Sequence, residues 1–224
     1  MTKLYLERLK MKYIKFTTYT GEENMQIDSD LLDEAINLQS KEPIFRLYGW
    51  SPKCVSLGRN QKEFPLPENI DCVRRLTGGR ALLHDDEITY SYVAPSGELS
   101  VIDSYKKISG ILIDFFKTLG VDLEFGGGKY KGGKYRGGTS FDYCMLLSTG
   151  ADVCYKGNKI IGSAQCRKHG YVLQHGSILF GYDKELLENL FNEEVKGITT
   201  VKEILPDIEK EEFVNRFEQF IQKL

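Results

Sequence analysis

The sequence predicts an α+β fold: a mostly antiparallel β-sheet core with helices packed against it. Strand-like segments come in clusters joined by short turns, and the clear amphipathic helices stand apart from them. At 224 residues, 41% hydrophobic and 28% charged, the chain has material for one sizeable core.

The elements are read in order. Residues 1–11 alternate Lys, Arg and Glu with Leu and Tyr and read as an N-terminal extension, because strand character begins only at Met11–Ile14. Residues 12–224 form a single domain, with no internal repeat and no dividing linker. Met25, Leu32 and Ile36 recur at helical intervals, widened by Leu31 and Ala35, and predict a helix over Glu22–Ser40. Strands follow at Ile44–Tyr48 and Cys54–Leu57, divided by the turn signal Gly49-Trp50-Ser51-Pro52. Cys72–Leu76, Ala81–Leu83 and Glu87–Val93 read as further strands. The clearest helix spans Val101–Leu119, with Ser100 as N-cap and Gly120 as C-cap. Val121–Phe125 reads as a strand. Asp152–Tyr155 and Lys159–Ala164 flank Lys156-Gly157-Asn158 as a β-hairpin, and Tyr171–Phe180 is another strand. Short helices end the chain, the last placing Phe213, Phe217, Phe220, Ile221 and Leu224 on one side.

Composition excludes several classes. A formal charge of −2 argues against nucleic acid or an anionic membrane as partner. Apolar runs such as Ile111–Ile113 are too short to span a bilayer, and the N-terminus lacks a signal-peptide apolar region. Five cysteines, an odd and widely spaced set, point to a reducing compartment and a cytoplasmic protein. The three histidines lack metal-ligand spacing, so no metal site is expected.

Three segments have the residue types for chemistry. In Arg74–Glu87, the pair Gly78-Gly79 lets backbone approach a ligand, and the flanking arginines are suited to fork onto a carboxylate or phosphate. A tight hairpin with a solvated basic rim explains the same residues. Residues 126–138 hold seven glycines and four basic residues, the composition of a flexible lid or a plain solvated loop. Gly128, Gly133 and Lys134 approach a phosphate loop, but Tyr135 replaces its hydroxyl residue, and no helix-like sequence follows. In the third segment, Cys144 follows the glycine-rich stretch instead of lying in a strand. Cys54, Cys72 and Cys154 sit in strand-like runs and read as small buried hydrophobes. A thiol nucleophile needs access and a neighbouring positive charge, which Lys159 supplies if the hairpin carries it there.

At this point the residues resemble a known family. Asn24–Asp28, Arg46–Pro52, Ser56–Gly58, Arg74–Asp85, Gly157–Gln165 and Gln174–Ile178 are similar, in that order, to the biotin/lipoate protein ligase superfamily, and most similar to its LipM-type octanoyltransferases. The resemblance implies a biotin/lipoate ligase-like catalytic domain over 12–224. It implies octanoate transfer from acyl carrier protein to a lysine of a lipoyl domain, such as glycine cleavage protein H. Cys144 falls at the position of the acyl-thioester cysteine, and Lys159 at that of the lysine lowering its pKa. Arg75, Gly78, Gly79 and His84 then line the acyl pocket, with Ser163, Ala164 and His175 nearby. No cofactor is implied beyond the carrier's own phosphopantetheine. An ATP-dependent lipoate–protein ligase, an octanoyl amidotransferase between lipoyl domains and a silent lipoyl-protein binder are the competing readings.

Overall fold

The computed structural model describes residues 11–127, 152–192 and 194–224. The elements are β1 (Lys12–Tyr19), α1 (Gly21–Asn37), β2 (Ile44–Trp50), β3 (Cys54–Leu57), β4 (Asp71–Arg74), β5 (Leu82–His84), β6 (Glu87–Pro95), α2 (Val101–Thr118), β7 (Glu124–Phe125), β8 (Val153–Tyr155), β9 (Asn158–Lys168), β10 (Tyr171–Leu179), α3 (Lys184–Phe191), α4 (Val201–Ile204) and α5 (Lys210–Ile221). They form a seven-stranded sheet, ordered β1-β2-β6-β10-β9-β8-β7, and a small sheet ordered β4-β3-β5. Among the strands of the described residues, β1–β2 and β3–β4 are parallel pairs and the other pairs are antiparallel. The fold is the predicted α+β type.

Several boundaries follow from local chemistry. Thr20 caps α1 in a capping box with Glu23. Ser100 caps α2 through the Asp103 amide, and Gly120 follows its end in the left-handed conformation. At the β8–β9 hairpin, Tyr155 pairs with Asn158, leaving Lys156-Gly157 as a two-residue turn with φ of 48° and 80°.

Other expectations are corrected. β2 continues through Gly49 and Trp50, so Gly49 is a strand glycine and not a turn signal; a Cβ there would meet Thr18 Oγ1 of β1 at 2.8 Å. The strand expected over Val121–Phe125 shrinks to its last two residues. The Val121 amide instead bonds the Phe116 carbonyl and closes the end of α2. Cys72 lies exposed on the small sheet's β4, whereas Cys54 and Cys154 are buried. Leu224 falls beyond the end of α5 and is 44% exposed, so it leaves the aromatic stripe.

The large sheet has a helix-covered core on each face. Phe45, Tyr90, Ile161 and Ile178 pack with Ile108, Leu112 and Phe115 of α2 and Phe213 and Phe217 of α5. The Phe115 and Phe217 rings stack at 4.1 Å, tying the two helices together. On the opposite face α1 lays Leu31, Leu32 and Ala35 on Ile44, Val93 and Leu173.

That second face positions the site. Strand pairing puts three cross-strand rows of side chains on it: Ile44–Val93–Leu173, then Arg46–Ser91–His175, then Tyr48–Thr89–Ser177. Residues three or four apart on a helix share one side. The first row is therefore met by Leu32, the second by Asp28 and Asn24, and the third lies toward Met25.

Candidate active site

The second row is a buried ionic frame. Asp28 touches all three of its members: Oδ1 lies 2.9 Å from the Arg46 guanidinium and accepts from Ser91 Oγ at 2.8 Å, and Oδ2 lies 3.2 Å from His175 Nδ1. The Tyr48 hydroxyl also donates to Oδ2, at 2.9 Å. Burial alone would raise the Asp28 carboxyl. The His175 hydrogen bond and charge, with Arg46 and Ser91, outweigh it and hold the carboxyl below its ordinary value. His175 Nε2 in turn lies 2.7 Å from Thr77 Oγ1, which ties the Gly78-Gly79 loop to the sheet.

A second frame crosses from the large sheet to the small one. Glu87 Oε1 lies 2.6 Å from His84 Nδ1 and accepts from Thr89 Oγ1 at 2.6 Å, while Oε2 accepts from Ser177. His84 Nε2 meets Ser56 Oγ at 2.7 Å, and the ring stacks on Trp50 at 3.7 Å. Burial pushes the Glu87 carboxyl up; the His84 charge and the three hydrogen bonds reverse that and hold it low. Each imidazole is thus fixed between a carboxylate and a hydroxyl.

The two frames enclose a mostly apolar slot. It is walled by Tyr48 and Trp50 of β2, Ser56 and His84 of the small sheet, Gly162–Ala164 of β9, His175–Ser177 of β10 and Met25 of α1. Of the residues implicated by sequence, Arg75, His84, Ser163, Ala164 and His175 line this slot. Gly78 and Gly79 do not; they sit at its margin, with the Gly78 carbonyl accepting from Arg75 at 3.0 Å.

The arginines add a structural role to the sequence reading. Arg75 donates to the Ser56 carbonyl and hydroxyl and to the carbonyls of Gly78 and Arg80. Arg74 donates to the carbonyls of Gly58 and Gln61. Both guanidiniums staple their own loop, and Arg74 also meets Glu63 Oε1 at 3.3 Å. The glycine pair has two separate uses. Gly79 (φ 97°) brings its carbonyl where a Cβ on Gly58 would sit, 1.9 Å away, whereas a Cβ on Gly78 would meet nothing within 4 Å.

Lys159 is buried and pairs with Asp152 at 3.0 Å. Its backbone is clamped by the Gly197 carbonyl and the Thr199 amide. The β8–β9 register shifts beside it, and both Ile160 and Ile161 pack into the main core, as a bulge permits. Cys144 and residues 128–138 of the glycine- and lysine-rich segment lie outside the described residues. Among the described cysteines, burial pushes the Cys54 thiol up to about 12 and raises that of Cys72. Neither thiol is primed as a nucleophile.

Sequence reasoning placed Asp28, Glu87, Met25 and Trp50 in elements or motifs but gave none of them a role in the site. Asp28 had a usable signal: a carboxylate between Met25 and Leu32 on an otherwise apolar helical stripe. Glu87 opens a run of β-formers, a place where a charged side chain needs a partner.

Glycine supplies a first test. A Cβ on Gly176 would lie 2.6 Å from the Gly162 carbonyl and 2.7 Å from the Tyr90 ring. Gly176→Ala is expected to cost about 1–3 kcal/mol by overpacking. Gly78→Ala is expected to leave stability unchanged and to lower turnover only if a ligand uses that open space. Urea unfolding and steady-state kinetics on both variants check this.

Among the described residues no His, Cys, Asp and Glu side chains gather as a metal cluster, and no helix is long and apolar enough to cross a membrane. A small sheet folds against a larger, mostly antiparallel one, with an apolar slot at the joint and a buried lysine on the adjoining strand. Residues 20–222 match the family model of the lipoyl protein ligase A/B catalytic domain, and the chain belongs to that family.

The chain is 37% identical over 187 residues to octanoyltransferase LipM of Carboxydothermus hydrogenoformans, covering 79% of this chain and 67% of that one. It is 39% identical over 183 residues to octanoyltransferase LipM of Macrococcus caseolyticus, covering 75% and 65%. It spans about two thirds of the length of these relatives. In fold it is similar to the bi-partite lipoate protein ligase of Thermoplasma acidophilum, solved in a study of that ligase and its E2 lipoyl domain. The TM-score is 0.67 at 21% identity, over 95% of this chain and 83% of that one.

Proposed function

We propose that this chain is a cytoplasmic octanoyltransferase. It takes octanoate from the phosphopantetheine of acyl carrier protein, holds it as a thioester on Cys144, and passes it to a lysine of a lipoyl domain such as glycine cleavage protein H. The observation that carries the reading is identity of 37–39% to octanoyltransferases over three quarters of the chain. The site agrees with it chemically. The slot is apolar, as an alkyl chain requires, and the strand that walls it through Gly162–Ala164 also carries Lys159.

The reaction proceeds in two exchanges. The Cys144 thiolate attacks the carrier thioester; its carbon–sulfur bond forms as the carrier's thiolate leaves and takes a proton. The acceptor lysine, as free amine, then attacks the enzyme thioester. Cys144 leaves as thiolate, and the amine nitrogen gives up its proton as the amide forms. Thioester exchange is nearly isoenergetic and amide formation is downhill, so no ATP and no resident cofactor are needed. Lys159 holds Cys144 ionised. The frames around His84 and His175 fix the position of the walls they belong to.

The test is transfer in the absence of ATP. Purified protein, octanoyl-acyl carrier protein and apo glycine cleavage protein H are expected to give octanoylated acceptor, read by its mass. Product formed only with free octanoate or lipoate and ATP would make the protein a ligase and overturn the reading. Transfer only from an already octanoylated lipoyl domain would make it an amidotransferase.

A further inference from the structure

We propose that Met25 is the stop that sets how long an acyl chain the slot accepts, an inference that rests on the octanoyl-transfer reading. The slot lies under the first turns of α1, where Leu32 and Asp28 cover two rows of the sheet and Met25 lies toward the third. Adjoining the slot, an open groove of about 770 Å³ runs between α1 and β4, walled by Met25, Gln26, Asp71, Val73 and Arg74. Among the described residues Met25 is the one side chain that walls both the groove and the slot. It is half-buried and packs against Tyr48, Trp50 and Cys54.

The slot as it stands holds about 40 Å³, far below the ~300 Å³ or more of a pocket that holds a small molecule. An acyl chain therefore enters by displacing a wall. Most of the other walls are fixed. His84 and His175 are pinned between carboxylate and hydroxyl, Thr89 and Ser177 are bonded to Glu87, and Tyr48 is bonded to Asp28. Methionine is unbranched and yields by rotation. Behind it lies open groove. Its terminal atoms thus define how far the ω-end of a chain travels before meeting protein, and a shorter residue joins slot to groove.

The experiment measures acylation rates of the full chain with hexanoyl-, octanoyl- and dodecanoyl-acyl carrier protein by intact mass, beside thermal unfolding of each variant. Met25→Ala is expected to raise the dodecanoyl-to-octanoyl ratio at least about tenfold, the scale on which apolar pockets separate chain lengths. Met25→Phe is expected to shift preference toward hexanoyl. A folded Met25→Ala protein whose ratio stays within about twofold of the parent overturns the proposal. If Met25→Ala does not fold, an unaltered hexanoyl-to-octanoyl order in Met25→Phe overturns it. Failure of the parent protein to take any acyl group removes the transfer reading and this inference together, an outcome distinct from an unchanged ratio in a protein that acylates.

Discussion

Lys159→Ala is expected to lose both stability and rate, and the two losses separate. Lys159 and Asp152 are both nearly buried, with their charged ends 3.0 Å apart. Removing the lysine takes the counter-charge from a buried carboxylate, a change that costs up to about 3–5 kcal/mol for such pairs. The rate loss has another origin. An ordinary thiol is only a few per cent ionised at neutral pH, so under the proposed mechanism, in which Lys159 holds Cys144 as thiolate, its removal is expected to slow acylation on the order of thirtyfold. The double variant Lys159→Met with Asp152→Asn removes both buried charges. It is expected to recover most of the stability and none of the rate, read by urea unfolding and single-turnover acylation. Recovery of rate in the double variant would show that Lys159 acts on folding alone.

Asp28→Ala is expected to be comparably severe. It strips Arg46, Ser91, Tyr48 and His175 of a common acceptor and leaves Arg46, 2% exposed, without its counter-charge and held only by Asn24 and the Tyr48 ring, up to about 3–5 kcal/mol. The same carboxylate, with Glu87, gives stability a defined pH dependence. Both are held below their ordinary values in the folded protein, so as pH falls the unfolded chain binds protons first. Their contribution is fully present above the unfolded values near pH 4 and is lost as pH drops through the lower folded values. Urea midpoints are expected to hold level near neutrality and fall steeply below about pH 4. Asp28→Asn is expected to start lower and fall less. A midpoint that rises on acidification would contradict the assignment.

How much of this was legible in the sequence depends on the range of the interactions involved. α2 was readable to within a residue because Ser100, the helical period and Gly120 are local signals. The β8–β9 hairpin was readable because Lys156-Gly157 sits in the one kind of turn that suits it. Gly49 misled, because its reason is contact with β1, thirty residues earlier, and not its neighbours. The site divides in the same way. Arg75, His84, Ser163, Ala164 and His175 were located by motif, and they do meet at one slot. Their roles were not legible. Arg75 also bonds the carbonyls of Ser56, Gly78 and Arg80, which only folding brings around it. The Asp28 and Glu87 frames join residues up to 147 positions apart, and no spacing rule reaches that far.

The central claim is a covalent octanoyl thioester on Cys144, and intact mass measures it directly. Incubation with octanoyl-acyl carrier protein and no ATP is expected to add one octanoyl group, released by hydroxylamine and missing from Cys144→Ala. An adduct of the same mass on Cys144→Ala, or none on the parent protein without ATP, would contradict the account.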